Sequence, residues 1–171
     1  ERVLAASCIR KPTADMVVKT DTERARKSRE MVFELLASNM RPAAKGPDQQ
    51  SPFWQWASSM GIAQGRFESR FAVDDMRPEF DVTNPAIAVN LDACITCGAC
   101  VRACREVQVN DVIGMAQRGN HSVPVFDMHD PMGLSTCVTC GECVQACPTG
   151  ALYEKSLMDE TGRTRVVQEF D

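Results

Sequence analysis

Eight of the nine cysteines in this 171-residue chain fall into two short segments with the same internal spacing. The first segment holds Cys94, Cys97, Cys100 and Cys104, and the second holds Cys137, Cys140, Cys143 and Cys147. Both read C-x2-C-x2-C-x3-C, and the segments share eight of their eleven residues at an offset of 43 positions. This repetition predicts an internal duplication of one ligand-bearing unit.

Thiolates at this spacing suit a [4Fe–4S] cluster, in which four sulfur ligands must reach four iron corners. Two-residue gaps let one loop supply three of these ligands while its backbone N–H groups face the cluster sulfides. In sequences that bind two such clusters, the fourth ligand is the last cysteine of the other segment. The predicted ligands are therefore crossed: Cys94, Cys97, Cys100 and Cys147 for cluster one, and Cys137, Cys140, Cys143 and Cys104 for cluster two.

A pair of four-cysteine zinc sites is the alternative explanation of the same residues. Such sites usually separate two C-x2-C pairs by a longer loop and do not require a third cysteine three residues on. A disulfide framework is disfavoured, because the N-terminus shows no secretion signal and a reducing cytosol keeps thiols free. We therefore predict a cytoplasmic protein with two [4Fe–4S] clusters.

Charge and hydropathy restrict the possible partners. The chain has 19 basic and 23 acidic residues, a balance that disfavours nucleic acid as a partner. No apolar run approaches the roughly 18 residues that suggest a membrane span, so no membrane partner is expected. No catalytic motif is recognised either, and the chemistry expected of the clusters is outer-sphere transfer of single electrons. Neither end looks like a natural domain end, which predicts a piece of a longer protein.

The elements that must position the cysteines divide the chain into four predicted regions, and the predicted fold class is α+β. Residues 86–155 form the domain with two [4Fe–4S] clusters, and residues 21–85 form a helical linker region before it. Residues 1–20 precede this linker, and residues 156–171 are predicted to form a connector to a further domain.

Two helices are predicted in the linker region. The pattern TDTE predicts a capping box in which Thr20 and Glu23 cap the first helix. The second helix is expected to start at Pro52. It carries Trp54 and Trp56, which cannot share one helix face. We expect one in a local core, and the other either against a neighbouring domain or subunit or simply exposed.

Weaker patterns give further expectations for the first 40 residues. Residues 2–9 and 16–18 are predicted as short strands around a turn. In the first helix, helical spacing predicts an inward face made of Ala25, Ser28, Val32, Leu35 and Leu36.

The cysteine segments also carry expectations about their neighbours. Residues 111–127 are predicted to form a β-hairpin that covers one cluster. Arg105 stands where the second segment has Pro148, so the first-segment helix is expected to run farther. Gly98 and Gly141 lack the Cβ atom that would obstruct a close approach of backbone to cluster.

Three stretches, CITCGACVRACREVQVNDVIG, HDPMG and STCVTCGECVQACPTGAL, resemble the iron–sulfur region of the alpha subunit of NAD-linked, molybdenum- or tungsten-dependent formate dehydrogenases. LAASCIRKPTADMVV is similar to the end of the plant-type [2Fe–2S] domain that precedes this region in the family. Hydrogenases and the large iron–sulfur subunit of respiratory complex I share the cysteine motif. The complex I relative has a further His-Cys₃ cluster, for which residues 51–70 here supply neither Cys nor His.

The resemblance implies that this chain relays electrons between a molybdenum- or tungsten-bis-pterin site, where formate is oxidised or CO₂ reduced, and a subunit that binds FMN and NAD. The implied partners are the catalytic domain of the same longer chain and this flavin- and NAD-binding iron–sulfur subunit. Residues 1–20 would be the C-terminal tail of the [2Fe–2S] domain. Cys8 would be a possible ligand of its cluster, which only the complete domain would hold.

Two other functions stay open at this point. One is the electron-transfer segment of a hydrogenase or a complex I-like subunit, which would carry the same clusters beside a different catalytic domain. The other is a free-standing ferredoxin-like electron carrier that belongs to no enzyme.

Overall fold

The computed structural model describes residues 3–42, 45–69 and 80–164 of the chain. Its α-helices are α1 (Glu23–Ser38), α2 (Pro52–Ser59), α3 (Ala99–Arg102) and α4 (Glu142–Ala146). Its strands are β1 (Ile87–Val89), β2 (Ile113–Ala116), β3 (Val123–Phe126) and β4 (Leu152–Glu154). Helices and short antiparallel strands are thus combined, as predicted. Among the described helices, none has the length and hydropathy to cross a membrane.

Two antiparallel sheets of two strands each frame the cysteine segments. β1, which precedes the first segment, pairs with β4, which follows the second, so that Val89 lies opposite Leu152. β2 and β3 form the hairpin expected between the segments, with Ile113 opposite Phe126. One hydrophobic core joins both sheets to the helices, and its buried members include Ile87, Val89, Val101, Ile113, Phe126, Met132 and Leu152.

The helix after the first cysteine segment runs farther than its counterpart, as predicted. α3 passes directly into a π-helical turn at Ala103–Val107, whereas α4 ends at Ala146. Proline at position 148 has no N–H to extend a helix. Arg105 at the matching position keeps the chain helical, and its guanidinium pairs with the Asp111 carboxylate at 2.7 Å.

α1 and α2 form a helical pair that packs onto the cysteine-bearing part of the chain. Phe33 of α1 stacks on Phe53 of α2 with ring centroids 5.2 Å apart. The core of the pair extends to Ala93 and Ala151, which flank the two cysteine segments. In addition, the Phe53 N–H donates to the carbonyl oxygen of Pro148 at 2.9 Å. The two helices are therefore part of the structure that surrounds the cysteines.

The two tryptophans of α2 separate as predicted. The helix begins at Pro52, the expected residue. Trp54 is 3% exposed and lies in the core of the helical pair, whereas Trp56 is 63% exposed. The expectation that Trp56 meets a neighbouring domain or subunit stays a prediction.

We expect Trp54→Ala to lower the free energy of unfolding by about 3–5 kcal/mol, because it leaves a cavity in a small core. Trp56→Ala is the matched control on the same helix, and an exposed substitution should change stability by about 0.5 kcal/mol or less. The measurement is urea unfolding of the two variants and the parent chain, followed anaerobically by circular dichroism. Equal losses from the two substitutions would contradict the burial described here.

The cap of α1 lies two residues later than predicted. The N-cap is Thr22, whose Oγ1 accepts from the Ala25 N–H at 3.3 Å. The capping box predicted for Thr20 and Glu23 is therefore wrong, because TDTE contains two threonines and the helix uses the second. Glu23 becomes the first helical residue, where its carboxylate is favoured by the helix dipole.

The predicted inward face of α1 is wrong at two positions. Val32 is 51% exposed and Leu35 is 49% exposed. The side chains that pack against α2 are those of Phe33, Ala37 and Leu36, and of these Leu36 lies on the predicted face. Among the described helices, α2 is the main neighbour of α1, so the buried stripe is narrower than the apolar pattern of the sequence.

The strands predicted at 2–9 and 16–18 are also wrong where the structure describes them. Residues 3–20 contain no strand, and their one regular element is the 3-10 turn Ser7–Ile9. Every residue from 3 to 21 is exposed. A strand requires a neighbour to pair its backbone groups, and no described strand lies beside this segment.

Candidate iron–sulfur centres

Each ligand loop turns through two residues in the left-handed backbone region. Thr96 and Gly98 have φ of 55° and 71°, and Thr139 and Gly141, at the matching positions, have φ of 58° and 84°. A Cβ atom on either glycine would meet no protein atom within 4 Å. Glycine is therefore favoured at these two positions by the backbone conformation, and not by a lack of space for a side chain among the protein atoms.

Both loops direct a backbone N–H at a cysteine sulfur. The Thr96 N–H donates to Cys94 Sγ at 3.3 Å, and the Thr139 N–H donates to Cys137 Sγ at 3.4 Å. Hydrogen bonds of this kind orient a thiolate ligand and stabilise negative charge on its sulfur. The duplicated sequence therefore reproduces the same local geometry at both segments.

Cys100 lies at the centre of the first group of thiols. Burial, and to a lesser extent the neighbouring sulfurs of Cys94, Cys147 and Cys97, raise the pKa of Cys100 to about 12. Two of these neighbours belong to the first segment, and Cys147 belongs to the second. The structure thus brings together the four residues predicted to bind cluster one.

Cys143 has the same position in the second group. Burial raises the pKa of Cys143 to about 12, and so do the neighbouring sulfurs of Cys137, Cys140 and Cys104. Here Cys104 is the residue from the other segment, and it lies in the π-helical turn after α3. This turn therefore contributes a thiol to the group around the opposite loop.

The chemistry of this donor set fits two iron–sulfur clusters. Thiols with a raised pKa stay protonated at neutral pH until a metal displaces their protons, and four thiolates are the ligands that a [4Fe–4S] cluster requires. Within the described residues, no three His, Cys, Asp or Glu side chains converge closely enough for a single metal ion. Four sulfurs arranged around a cube stand farther apart than the ligands of one ion.

The first group borders a small cavity, and its Cys97 is exposed. This mainly apolar cavity is lined by all four thiols of the group and by Met115 and Pro124 of the β2–β3 hairpin. On another side, the core of the α1–α2 pair contacts Cys94 and Cys147. The hairpin predicted to cover one cluster therefore lies over the first group.

The second group borders an open cleft of about 600 Å³. Cys140 is exposed there, and the lining also includes Thr139, Glu142 and Lys155. The two groups thus share their ligand geometry and differ in their surroundings.

The segment before β1 holds the second ligand loop. Asn84 is 2% exposed, and its side-chain Nδ2 donates to Thr139 Oγ1 at 3.1 Å. Nearby, the Met132 N–H donates to the Asp81 carboxylate at 2.6 Å. Burial alone would raise the pKa of Asp81, but hydrogen bonds from Thr83 and Met132 outweigh it and lower this pKa.

Sequence reasoning missed this network. Asn84 stands before Pro85, and an Asn-Pro pair marks a turn. Its Oδ1 indeed accepts from the N–H groups of Ala86 and Ile87, each at 3.0 Å. The turn could therefore have been predicted, but its contact with Thr139, 55 residues away, could not.

Cys8 lies apart from both groups. It sits in the 3-10 turn Ser7–Ile9 and is exposed. Neither set of interacting thiols includes it. Its role as a [2Fe–2S] ligand stays a prediction.

Comparison with known protein families identifies the cysteine-rich part of the chain. Residues 93–151 match the 4Fe-4S dicluster domain family. The match includes both cysteine segments and the hairpin between them. It supports two iron–sulfur clusters over the zinc alternative.

Three curated proteins are similar to larger parts of the chain. The NADH-ubiquinone oxidoreductase 78 kDa subunit of Candida albicans is 33% identical over 68% of this chain. The putative formate dehydrogenase YrhE of Bacillus subtilis is 34% identical over 66%. The NADP-reducing hydrogenase subunit HndD of Solidesulfovibrio fructosivorans is 32% identical over 90%. The chain spans only 16%, 11% and 26% of the lengths of these relatives, respectively.

A solved structure supports the fold. A chain of an NAD+-reducing [NiFe]-hydrogenase in the H2-reduced state superposes with a TM-score of 0.65 at 20% identity, over 80% of this chain and 57% of that chain. The family match and this likeness agree with the sheets, loops and helices described above. Residues 93–151 are therefore a 4Fe–4S dicluster domain in a ferredoxin-like fold, and the chain as a whole is similar to parts of several oxidoreductase subunits.

Proposed function

We propose that this chain is the electron-transfer segment of an NAD-dependent formate dehydrogenase. Two [4Fe–4S] clusters would relay single electrons between a molybdenum- or tungsten-pterin site, where formate is oxidised or CO₂ reduced, and a subunit that binds flavin and NAD. The main support for the proposal is that eight thiols lie in two groups of four. Each group takes three thiols from one cysteine segment and one from the other. The family resemblance and the similarity to YrhE support the formate step.

In this proposal, the first group binds cluster one and the second group binds cluster two. A bound [4Fe–4S] cluster accepts or donates one electron without making bonds to a substrate. Cys100 and Cys104 lie on one continuous helical segment, four residues apart, and serve different clusters. Since a helix rises about 1.5 Å per residue, these two ligands are separated by only about 6 Å along the axis. The crossed ligands would therefore tie the two clusters to one short helical segment.

The surroundings of the two groups suit a relay. The apolar cavity beside the first group would limit water on that side of cluster one, which disfavours the extra negative charge of its reduced form. The Thr96 N–H opposes this effect, because it stabilises charge on Cys94 Sγ, and the Thr139 N–H does the same for Cys137 Sγ at cluster two.

Iron and acid-labile sulfide analysis tests the proposal first. The anaerobically purified chain should contain about eight iron and eight sulfide, and dithionite reduction should give the EPR spectrum of two interacting clusters. Both follow from two complete sets of thiolate ligands. Zinc without labile sulfide would refute the electron-transfer function.

The reaction is tested in the complete protein that contains this chain. Formate should reduce both clusters, and NAD should reoxidise them when the flavin-binding subunit is present. The control is hydrogen gas, which should leave the clusters oxidised. Reduction by hydrogen instead of formate would favour the hydrogenase alternative.

That alternative has specific support, since the similarity to HndD extends over 90% of this chain. A complex I-like subunit is supported in the same way by the Candida albicans relative. Reduction of the clusters by NADH alone, with neither formate nor hydrogen effective, would favour it. A free-standing carrier would pass electrons to several unrelated acceptors without forming a stable complex.

The remaining regions are assigned by the same resemblance. Residues 1–20 would complete a [2Fe–2S] domain, with Cys8 as a ligand, and residues 21–85 would link it to the cluster domain at 86–155. Residues 156–171 would connect to the catalytic domain, although 165–171, like 70–79 within the linker, lie outside the described residues.

A further inference from the structure

We propose that Lys155 is a positioning residue that raises the reduction potential of cluster two and leaves cluster one almost unaffected. The proposal rests on the two-cluster function proposed above. The two cysteine segments differ in the contacts that their loops make. Their loops are nearly identical, but only the second is tied to a lysine through a series of polar contacts.

The contacts of Lys155 are specific. Its Nζ donates to the carbonyl oxygens of Val82, at 2.7 Å, and Asn84, at 3.3 Å. Asn84 in turn donates through Nδ2 to Thr139 Oγ1 at 3.1 Å, and the Thr139 N–H donates to Cys137 Sγ at 3.4 Å. Lys155 thus fixes the segment that supports the N–H donor of a predicted cluster two ligand.

The charge of Lys155 is important in the cleft beside the second group, because the other charged residues there are acidic. Lys155 lines this cleft together with Cys140 and with the carboxylate residues Glu142 and Glu154. Asp81 also lies close enough for Lys155 to lower the pKa of its carboxyl, after the larger effects of burial and hydrogen bonds. Among the described residues that line the cleft, Lys155 is the single cation. Its removal would leave carboxylates as the charged groups that line the cleft.

The first group has no corresponding lysine. Thr96 makes the same contact with Cys94 that Thr139 makes with Cys137. Lys155 comes eight residues after Cys147, and the residue eight positions after Cys104 is the buried Val112. Arg105 follows Cys104, a predicted ligand of cluster two, and its guanidinium is paired with the Asp111 carboxylate. The lysine is therefore a feature of the second segment.

A fixed positive charge near a cluster favours its reduced form, because reduction adds one negative charge. The carbonyl contacts of Lys155 hold its ammonium in one place, so the effect is not averaged over a mobile side chain. The same contacts keep Asn84, and hence the Thr139 N–H, in position. Both effects stabilise additional charge at cluster two.

The test is an EPR-monitored redox titration of the cluster-loaded chain and of its Lys155→Gln variant. The variant should shift the reduction equilibrium of cluster two about tenfold toward the oxidised form, which corresponds to about 59 mV for one electron. Cluster one should shift by much less. Cys140→Ala identifies the cluster two signal, because it removes a ligand from that group only.

Two further variants separate charge and position from general damage. Lys155→Arg keeps a cation and donors to the same carbonyls, so it should restore most of the potential. Arg118→Gln removes one positive charge from the exposed turn between β2 and β3, and should shift neither cluster. Unfolding midpoints, measured in parallel, show whether a variant has only lost stability.

The outcomes distinguish this inference from the proposed function. A chain without about eight iron would overturn the two-cluster function itself. The role of Lys155 alone would be overturned if both clusters were intact and Lys155→Gln shifted neither potential or shifted both equally. It would also be overturned if Lys155→Arg did not restore the potential of cluster two.

Discussion

Replacing Cys147 with alanine is expected to disrupt cluster one, although Cys147 belongs to the second cysteine segment. The reason is its place among the thiols around Cys100. Iron should fall from about eight toward about four atoms per chain, and the EPR signal of cluster two should remain. Iron analysis and EPR of the reduced variant are the measurements.

Two matched variants make this a test of the crossed ligands. Cys94→Ala lies in the first segment but in the same group, so it should leave the same surviving spectrum as Cys147→Ala. Cys104→Ala should instead match Cys143→Ala, because both lie in the second group. If Cys147→Ala matched Cys143→Ala, each segment would bind its own cluster and the crossed assignment would be wrong.

Removal of both clusters should abolish the cooperative unfolding of the dicluster domain. Its four strands have only three or four residues each, and such elements are not stable without extensive packing. Part of the core consists of ligands, since Cys104 and Cys143 are 7% and 5% exposed. Because the metal-binding free energy also stabilises the fold, its loss should leave this domain largely unfolded.

The measurement is hydrogen exchange of the β1 and β4 amides before and after anaerobic chelation of iron. Protection should be lost from both strands and should return when iron and sulfide are supplied again. A mock-treated chain that keeps its clusters is the control. Persistent protection in the cluster-free chain would show that the apolar core holds the fold without metal.

The sequence predicted the parts of the site that depend on local spacing. The duplicated cysteines indicated two equivalent loops, and the difference between Arg105 and Pro148 indicated which helix would continue. In α2, the separation of Trp54 and Trp56 followed from two residues that cannot share a helix face. Each of these features depends on residues close together in the chain.

The features that the sequence did not predict depend on contacts between distant residues. Lys155 meets the carbonyl of Asn84, 71 positions away, and no local pattern indicates such a contact. Val32 and Leu35 fit the apolar periodicity of α1, but periodicity does not reveal how much of a face its neighbour covers. Residues 3–18 include strand-forming side chains without a described partner strand.

The pairing of β1 with β4 has a consequence for biosynthesis. The strand that opens the domain finds its partner only at residues 152–154, and the first group of thiols is incomplete until Cys147 has emerged from the ribosome. A nascent chain that ends before this point exposes three thiols of an unfinished site and half of a sheet. Loading of cluster one must therefore wait until Cys147 has been translated, whereas the second group of thiols is complete once Cys143 has been added. Premature termination before Cys143 would leave a polypeptide that can hold neither cluster with all four of its ligands.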